Sequence, residues 1–287
     1  MSSRKVDQEL MDAAQAGDVA KVSELIAHGA NPRSQESGAL RCAANNGHVK
    51  CVKRLLPVSD PKAKESEGLR WAAENGHVEC VRLLLPVSDP KTRASEALRV
   101  AAENGREECV RLLLPVSDPK ADESQALVVA ARGGHAECVR LLLPVSAPRE
   151  DESYALRVAA AFGHVECVRL LLLVSDPKAK ESYALRLAAE NGHAECVMLL
   201  RAASQPLIEI DGLLEEVMAA GQAKVAALLI EEEVALLDGV DLSKNLAKAV
   251  EHKHVDLASL LLSIIDKKEL SDIAPNRPAS SLGLARL

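Results

Sequence analysis

Histidine and cysteine recur along this chain in a fixed order, as in Gly76-His77-Val78-Glu79-Cys80. A histidine titrates near neutral pH and can shuttle protons or hold a metal. A cysteine can ligate zinc or form a disulfide. The copies argue against all of these. His48, His77, His135, His164 and His193 share one repeat position, but Arg106 takes it in another copy. A proton-transfer group would not survive that exchange, so a turn-packing role is expected. Cys51, Cys80, Cys109, Cys138, Cys167 and Cys196 lie 29 residues apart, with Cys42 outside the ladder. Zinc sites want cysteines two to four residues apart, and none are. Packed helices stand roughly 8–10 Å apart, whereas a disulfide needs Cα atoms within about 7 Å. Small buried thiols in a reducing compartment are therefore expected. His252 and His254 form an isolated HKH pair, a weak metal signal read as solvated cap residues. No phosphate-loop, dinucleotide, nucleophile-elbow or HExxH pattern occurs. No metal, cofactor or small-molecule substrate is expected.

The elements that carry these residues follow from the period. Gly47, Gly76, Gly105, Gly134, Gly163, Gly192 and Gly221 are each separated by 29 residues. Such a period marks a solenoid, in which each unit packs on its neighbours alone. In one unit, Ser66 precedes the apolar-periodic run EGLRWAAEN and is expected to cap a helix that ends at Gly76. Ser37, Ser95, Ser124, Ser153 and Ser182 are its counterparts. A second run, VECVRLLL, is stopped by Pro86. The unit reads helix, tight turn, helix, loop, without a strand pattern, so the predicted fold class is all-α. Glu79 and Arg82, three apart on the second helix, recur as Glu108/Arg111, Glu137/Arg140 and Glu166/Arg169 and are expected on a solvated outer face.

Composition narrows the function classes. The chain has 287 residues, 48% hydrophobic and 27% charged, which is the balance of a folded chain. A net charge of -7 argues against broad binding to nucleic acid or an anionic membrane. MSSRKVDQEL contains no apolar segment, so no secretory signal is expected there, and no run is long enough to span a bilayer. A cytoplasmic location is expected. Aromatics are limited to Trp71, Tyr154, Phe162 and Tyr183, so the core must be Leu, Val, Ala and Cys.

The helix pair AAENGHVECVRLLL resembles the ankyrin repeat, and the first copy, DQELMDAAQAGDVAKVSELIAHGANPR, is the nearest to an ordinary ankyrin cap. The family period is about 33, so these units are four residues short, in the linker where the family forms a β-hairpin finger. The family's Thr-Pro-Leu-His becomes Glu96-Ala97-Leu98-Arg99 and similar forms. The resemblance implies a helix-turn-helix solenoid of about nine repeats, with fingers shortened or absent and first helices lining a concave face. The expected organisation is one solenoid over 1–273: a capping repeat at 7–36, near-identical repeats over 37–201, degenerate repeats and a C-terminal cap over 202–273, then a flexible tail at 274–287. The resemblance also implies a surface that binds other proteins rather than a catalyst, including arrays that microbes deliver into a host cytosol.

The departures between copies nominate the contact surface. On the first helix of repeat six, Ala155, Leu156, Ala159 and Ala160 form the inward face, and Tyr154, Arg157, Val158, Ala161 and Phe162 the opposite one. Repeats five and six lose the Glu-Asn pair found in repeats three, four and seven. Aromatic and Arg side chains on an exposed face are typical binding hot spots. The candidate site is Val128, Arg132, Tyr154, Arg157, Phe162, Tyr183 and Arg186, with Trp71 on the equivalent face of repeat three. The expectation is a monomeric, non-enzymatic module that binds a protein segment, as adaptor, inhibitor or delivered effector. A structural spacer or self-assembling scaffold is the alternative, and an enzyme a remote one.

Overall fold

The computed structural model describes residues 3–204, 210–234, 242–251 and 254–273. His252 and the expected tail at 274–287 lie outside them. Every regular element among the described residues is helical. The chain divides into two compact units, Met1–Leu185 and Arg186–Leu287.

In the first unit the helices form two tiers. The first helices are α1 (Ser3–Ala16), α3 (Ser34–Asn45), α5 (Ala63–Glu74), α7 (Thr92–Glu103), α9 (Ala121–Arg132) and α11 (Glu150–Ala161). They pack on one another in chain order. The second helices are α2 (Val19–Ala27), α4 (Val49–Leu55), α6 (Val78–Leu84), α8 (Glu107–Leu113), α10 (Ala136–Leu142) and α12 (Val165–Leu171). They form a parallel series of contacts, each also packing on its own first helix. Fully buried leucines mark the seam: Leu40, Leu69, Leu98, Leu127 and Leu156 from the first helices, Leu55, Leu84, Leu113, Leu142 and Leu171 from the second. The Ala-Ala pairs, such as Ala72-Ala73 and Ala130-Ala131, have no exposed surface. Small residues there let neighbouring helices approach closely, which explains how a core nearly without aromatics can close.

Helix α13 (Ala179–Glu190) contains the boundary between the units. The second unit contains α14 (Ala194–Ala203), α15 (Ile210–Ala219), α16 (Ala223–Val234), α17 (Leu242–Glu251) and α18 (Val255–Ile273). Its contacts run α14 to α16, α15 to α16 and α17, and α18 to α16 and α17. Val217, Met218, Val225, Leu229, Ile230, Ala249 and Leu261 form its core.

The linkers differ from the simple loops expected. The span Ser34–Asn45 opens with a left-handed turn at Gln35, Glu36 and Ser37, where φ is 50°, 55° and 59°. Lys64-Glu65-Ser66, Asp122-Glu123-Ser124, Asp151-Glu152-Ser153 and Lys180-Glu181-Ser182 repeat it. The right-handed helix begins only after each serine. Non-glycine residues in this region cost roughly 1–2 kcal/mol each, so tertiary contacts must hold them.

The serine supplies one such contact. Ser66 was expected to cap its own helix. Its Oγ instead accepts the backbone N–H of Asp89 from the next linker, at 2.8 Å. Ser37 accepts from Asp60 and Ser95 from Asp118 at the same distance, while Ser124 accepts from Ala147 and Ser153 from Asp176 at 3.0 Å. All five serines are buried. The Asp side chain then turns back: Asp89 Oδ1 accepts the N–H of Lys91 at 3.0 Å, closing an Asx turn over Pro90. This serine-to-linker bond joins consecutive repeats where a β-hairpin finger was in doubt; no strand occurs among the described residues.

Candidate protein-binding surface

The turn between first and second helix settles the role of the histidines. His77 Nε2 lies 2.9 Å from the carbonyl oxygen of Asn45 in the preceding repeat. His48 makes the same contact to Gln15, His135 to Glu103 and His164 to Arg132, at 2.8–2.9 Å. Arg106 donates its Nε to Glu74 O at 3.1 Å, and Gln222 donates its Nε2 to Glu190 O at 3.0 Å. The position needs an N–H donor that reaches back one repeat, and three residue types provide it. Gly134 must stay bare because a Cβ there would come within 2.6 Å of His164 Nδ1, and its φ of 74° already favours glycine. His254 makes the corresponding contact to Ala219 O at 3.3 Å.

The cysteines carry no obvious chemistry. No disulfide joins any of the seven. Burial pushes the thiols of Cys80, Cys109, Cys138 and Cys196 up to about 11. At neutral pH these thiols are protonated and poor nucleophiles. Among the described residues no group of three or more His, Cys, Asp or Glu side chains could hold a metal ion.

The exposed side of the first helices is where the repeats differ. On α5 and α7 it is a network of ion pairs. Arg41 bonds Glu67, and Arg70 lies 3.1 Å from Glu67, 3.7 Å from Glu96 and 4.0 Å from Glu74. Arg99 lies 3.4 Å from Glu96 and 3.0 Å from Glu103. Trp71 belongs to this network: the guanidinium groups of Arg41 and Arg70 lie 5.5 and 5.8 Å from its ring. Its ring is half-buried rather than presented.

On α9 and α11 the network gives out. Tyr154 stands where α5 and α7 place Glu67 and Glu96, and Arg132 stands where they place Glu74 and Glu103. Tyr154 is 41% exposed and Phe162, just past the end of α11, 56%. Tyr183, on α13, is 41% exposed. Phe162 also forgoes a bond. Its counterparts Asn46, Asn75 and Asn104 donate side-chain N–H groups to the carbonyls of Cys42, Trp71 and Val100 at 2.8–3.0 Å. The Phe162 ring instead stacks on His164, with centroids 6.3 Å apart and planes 8° apart.

The remaining nominated residues divide. Val128 and Arg157 are buried, 7% and 6% exposed. Period alone placed them on the outer face, but the neighbouring first helices cover those positions. The Arg157 guanidinium sits 4.9 Å from the Tyr154 ring and donates to the carbonyl and carboxylate of Asp151 at 2.9 and 3.0 Å. It fixes the tyrosine from below. Arg132 is half exposed and lies 3.4 Å from Glu103. Arg186, in the second unit, pairs with Glu216 at 3.7 Å.

The surface therefore presents exposed rings, Tyr154 against Arg157 and Phe162 against His164, on a scaffold of stacked helix pairs. The family profile for ankyrin repeats in three copies matches residues 10–94, 69–151 and 98–180, more than half of the chain. No curated protein matches. Helix pair and profile agree despite the shorter period, and the chain belongs to the ankyrin-repeat family.

Proposed function

We propose that this chain is a non-enzymatic protein–protein interaction module that holds a segment of another protein on the exposed face of its first helices. Ankyrin repeats generally serve as such modules. The observation that carries the reading is the exposure of Phe162 at a position where other copies use asparagine to close the helix. Folding alone favours the asparagine. An exposed ring at the end of the helix that carries Tyr154, with Arg132 exposed on the preceding first helix, is the composition of a contact hot spot. Tyr183 extends the aromatic character into the next repeat. The role would be that of an adaptor, an inhibitor or a delivered effector. Seven cysteines without a disulfide among them favour a reducing compartment such as the cytoplasm. Among the described residues no helix is long and apolar enough to cross a membrane.

The test compares affinity capture from native lysate by the wild type and by a Tyr154→Ala, Phe162→Ala, Tyr183→Ala variant, with equal helicity verified by circular dichroism. The reading expects a partner held by the wild type and lost by the variant. A partner held equally by both removes the aromatic face from the interaction and favours a spacer whose contacts lie elsewhere.

A further inference from the structure

We infer that the segment held at repeats five and six is acidic and apolar, with a carboxylate seated on Arg132 beside an apolar side chain packed on Phe162. This deepens the binding reading above and rests on it. The argument begins with charge. On α5 and α7 each of these guanidinium groups lies among two or more carboxylates: Arg70 near Glu67, Glu74 and Glu96, and Arg99 near Glu96 and Glu103. That face is neutralised from within and offers little to a charged partner. The network ends at Arg132. Its carboxylate neighbour, Glu103, is 3.4 Å away and is already engaged by Arg99 at 3.0 Å. From Gln125 to Arg132 and from Tyr154 to Phe162 the sequence holds no Asp or Glu. Arg132, half exposed, thus has one carboxylate neighbour, shared with Arg99, where Arg70 has three and Arg99 two. A planar guanidinium can take a carboxylate in a two-point contact.

Position supplies the second half of the argument. The carbonyl oxygen of Arg132 is bonded to His164 Nε2, and His164 is stacked under Phe162. One histidine therefore ties the exposed ring to the backbone of the exposed guanidinium, at the same end of the first helices. On the first-helix side the acidic groups of these repeats sit at the opposite end, in the left-handed turns: Asp122 and Glu123 before α9, Asp151 and Glu152 before α11. Glu137 and Glu166 open the second helices α10 and α12 and are paired there, with Arg111 and Arg140 and with Arg140 and Arg169. Eight residues of helix separate Tyr154 from Phe162, about 12 Å. Along the first helices a basic segment would meet its attraction at the end away from the ring, whereas an acidic one meets Arg132 at the ring's own end.

The experiment uses the full chain and three fluorescein-labelled peptides: alternating Leu/Asp, alternating Leu/Lys and alternating Leu/Ser. Fluorescence anisotropy titrations are run at low and at high salt. The expected result is that Leu/Asp binds at least tenfold tighter than Leu/Lys, with the preference shrinking in high salt. Arg132→Glu, which restores the residue type found at Glu74 and Glu103, should abolish the preference, and Phe162→Asn should weaken the Leu/Asp peptide. The inference is overturned if Leu/Asp binds no tighter than Leu/Lys, or if Arg132→Glu leaves the preference intact. If all three peptides bind alike and all weaken in Phe162→Asn, the aromatic contact surface stands while its charge assignment falls.

Discussion

Helices α5 and α7 carry Glu67, Glu74, Glu96 and Glu103 where α9 and α11 carry Gln125, Arg132, Tyr154 and Ala161. The inward faces of the same helices scarcely change: Leu69, Leu98, Leu127 and Leu156 are all fully buried. Two neighbouring regions thus share one interior and wear different surfaces. The difference separates what the fold requires from what it leaves free. The leucine, the alanine pair, the turn glycine and the reaching donor recur because each touches a neighbouring helix or repeat. The outer positions touch solvent and each other, so they can be a closed ion-pair network in one place and exposed rings in another.

If the interiors are equivalent, both regions should respond alike to whatever reaches the core. Alkaline pH is expected to have the largest effect, because several thiols act together. Burial holds Cys80, Cys109, Cys138 and Cys196 near 11, against an ordinary value of 9.0. Between those values the unfolded chain releases protons that the folded chain keeps. The folded state then binds more protons, so stability falls as pH rises from about 9 to about 11 and is unaffected well below that window. Urea midpoints measured across this range should drop, and replacing the four cysteines with alanine should flatten the curve. A drop that persists unchanged in that variant would mean that other groups drive it.

Single leucines come next. Leu98→Ala in α7 and Leu127→Ala in α9 should each cost about 3 kcal/mol in urea unfolding, since both side chains are fully buried. The test is their equality. A gap well beyond 1 kcal/mol would show that the two regions differ inside as well as outside.

The linkers give a smaller effect. Ser66→Ala leaves the N–H of Asp89 without its buried acceptor, and Ser124→Ala does the same to Ala147. Each should cost about 1–2 kcal/mol. The bonds are 2.8 and 3.0 Å, so Ser66→Ala should be at least as damaging. Chemical denaturation of the two variants side by side would show it.

Much of this architecture is legible in the sequence. Glycines every 29 residues mark the period, but Pro86 and its counterparts are not what ends the second helices: α12 stops at Leu171, the equivalent of Leu84, with Leu173 in the proline's place. The ladder of thiols was rightly read as unbridged. The left-handed turns were not legible, because Lys64-Glu65-Ser66 contains none of the glycine or asparagine that usually announces such a conformation. It is imposed from 23 residues away, by the linker N–H that each serine accepts. The constant spacing of Ser66 and Asp89, and of Ser37 and Asp60, was the available signal. In the candidate surface the rings were found because they were rare. Arg157 and Val128 were placed outside because a helical wheel knows one helix at a time. Two neighbouring first helices narrow the exposed arc, and only packing reveals by how much.

The smallest expected effect addresses the surface most directly. Phe162→Asn gives α11 the ending found at Asn75 and Asn104, whose side chains bond the carbonyls of Trp71 and Val100. The asparagine would bond the carbonyl of Val158 and remove a largely exposed ring. A net hydrogen bond of this kind contributes about 0.5–1 kcal/mol, so thermal unfolding should shift slightly upward. If repeats five and six are shaped for contact, partner capture should fall in the same variant that gains stability. Opposite movements of stability and binding at one residue are what a contact ring predicts. A packing ring predicts the reverse for stability, since removing a ring that fills a gap must loosen the fold.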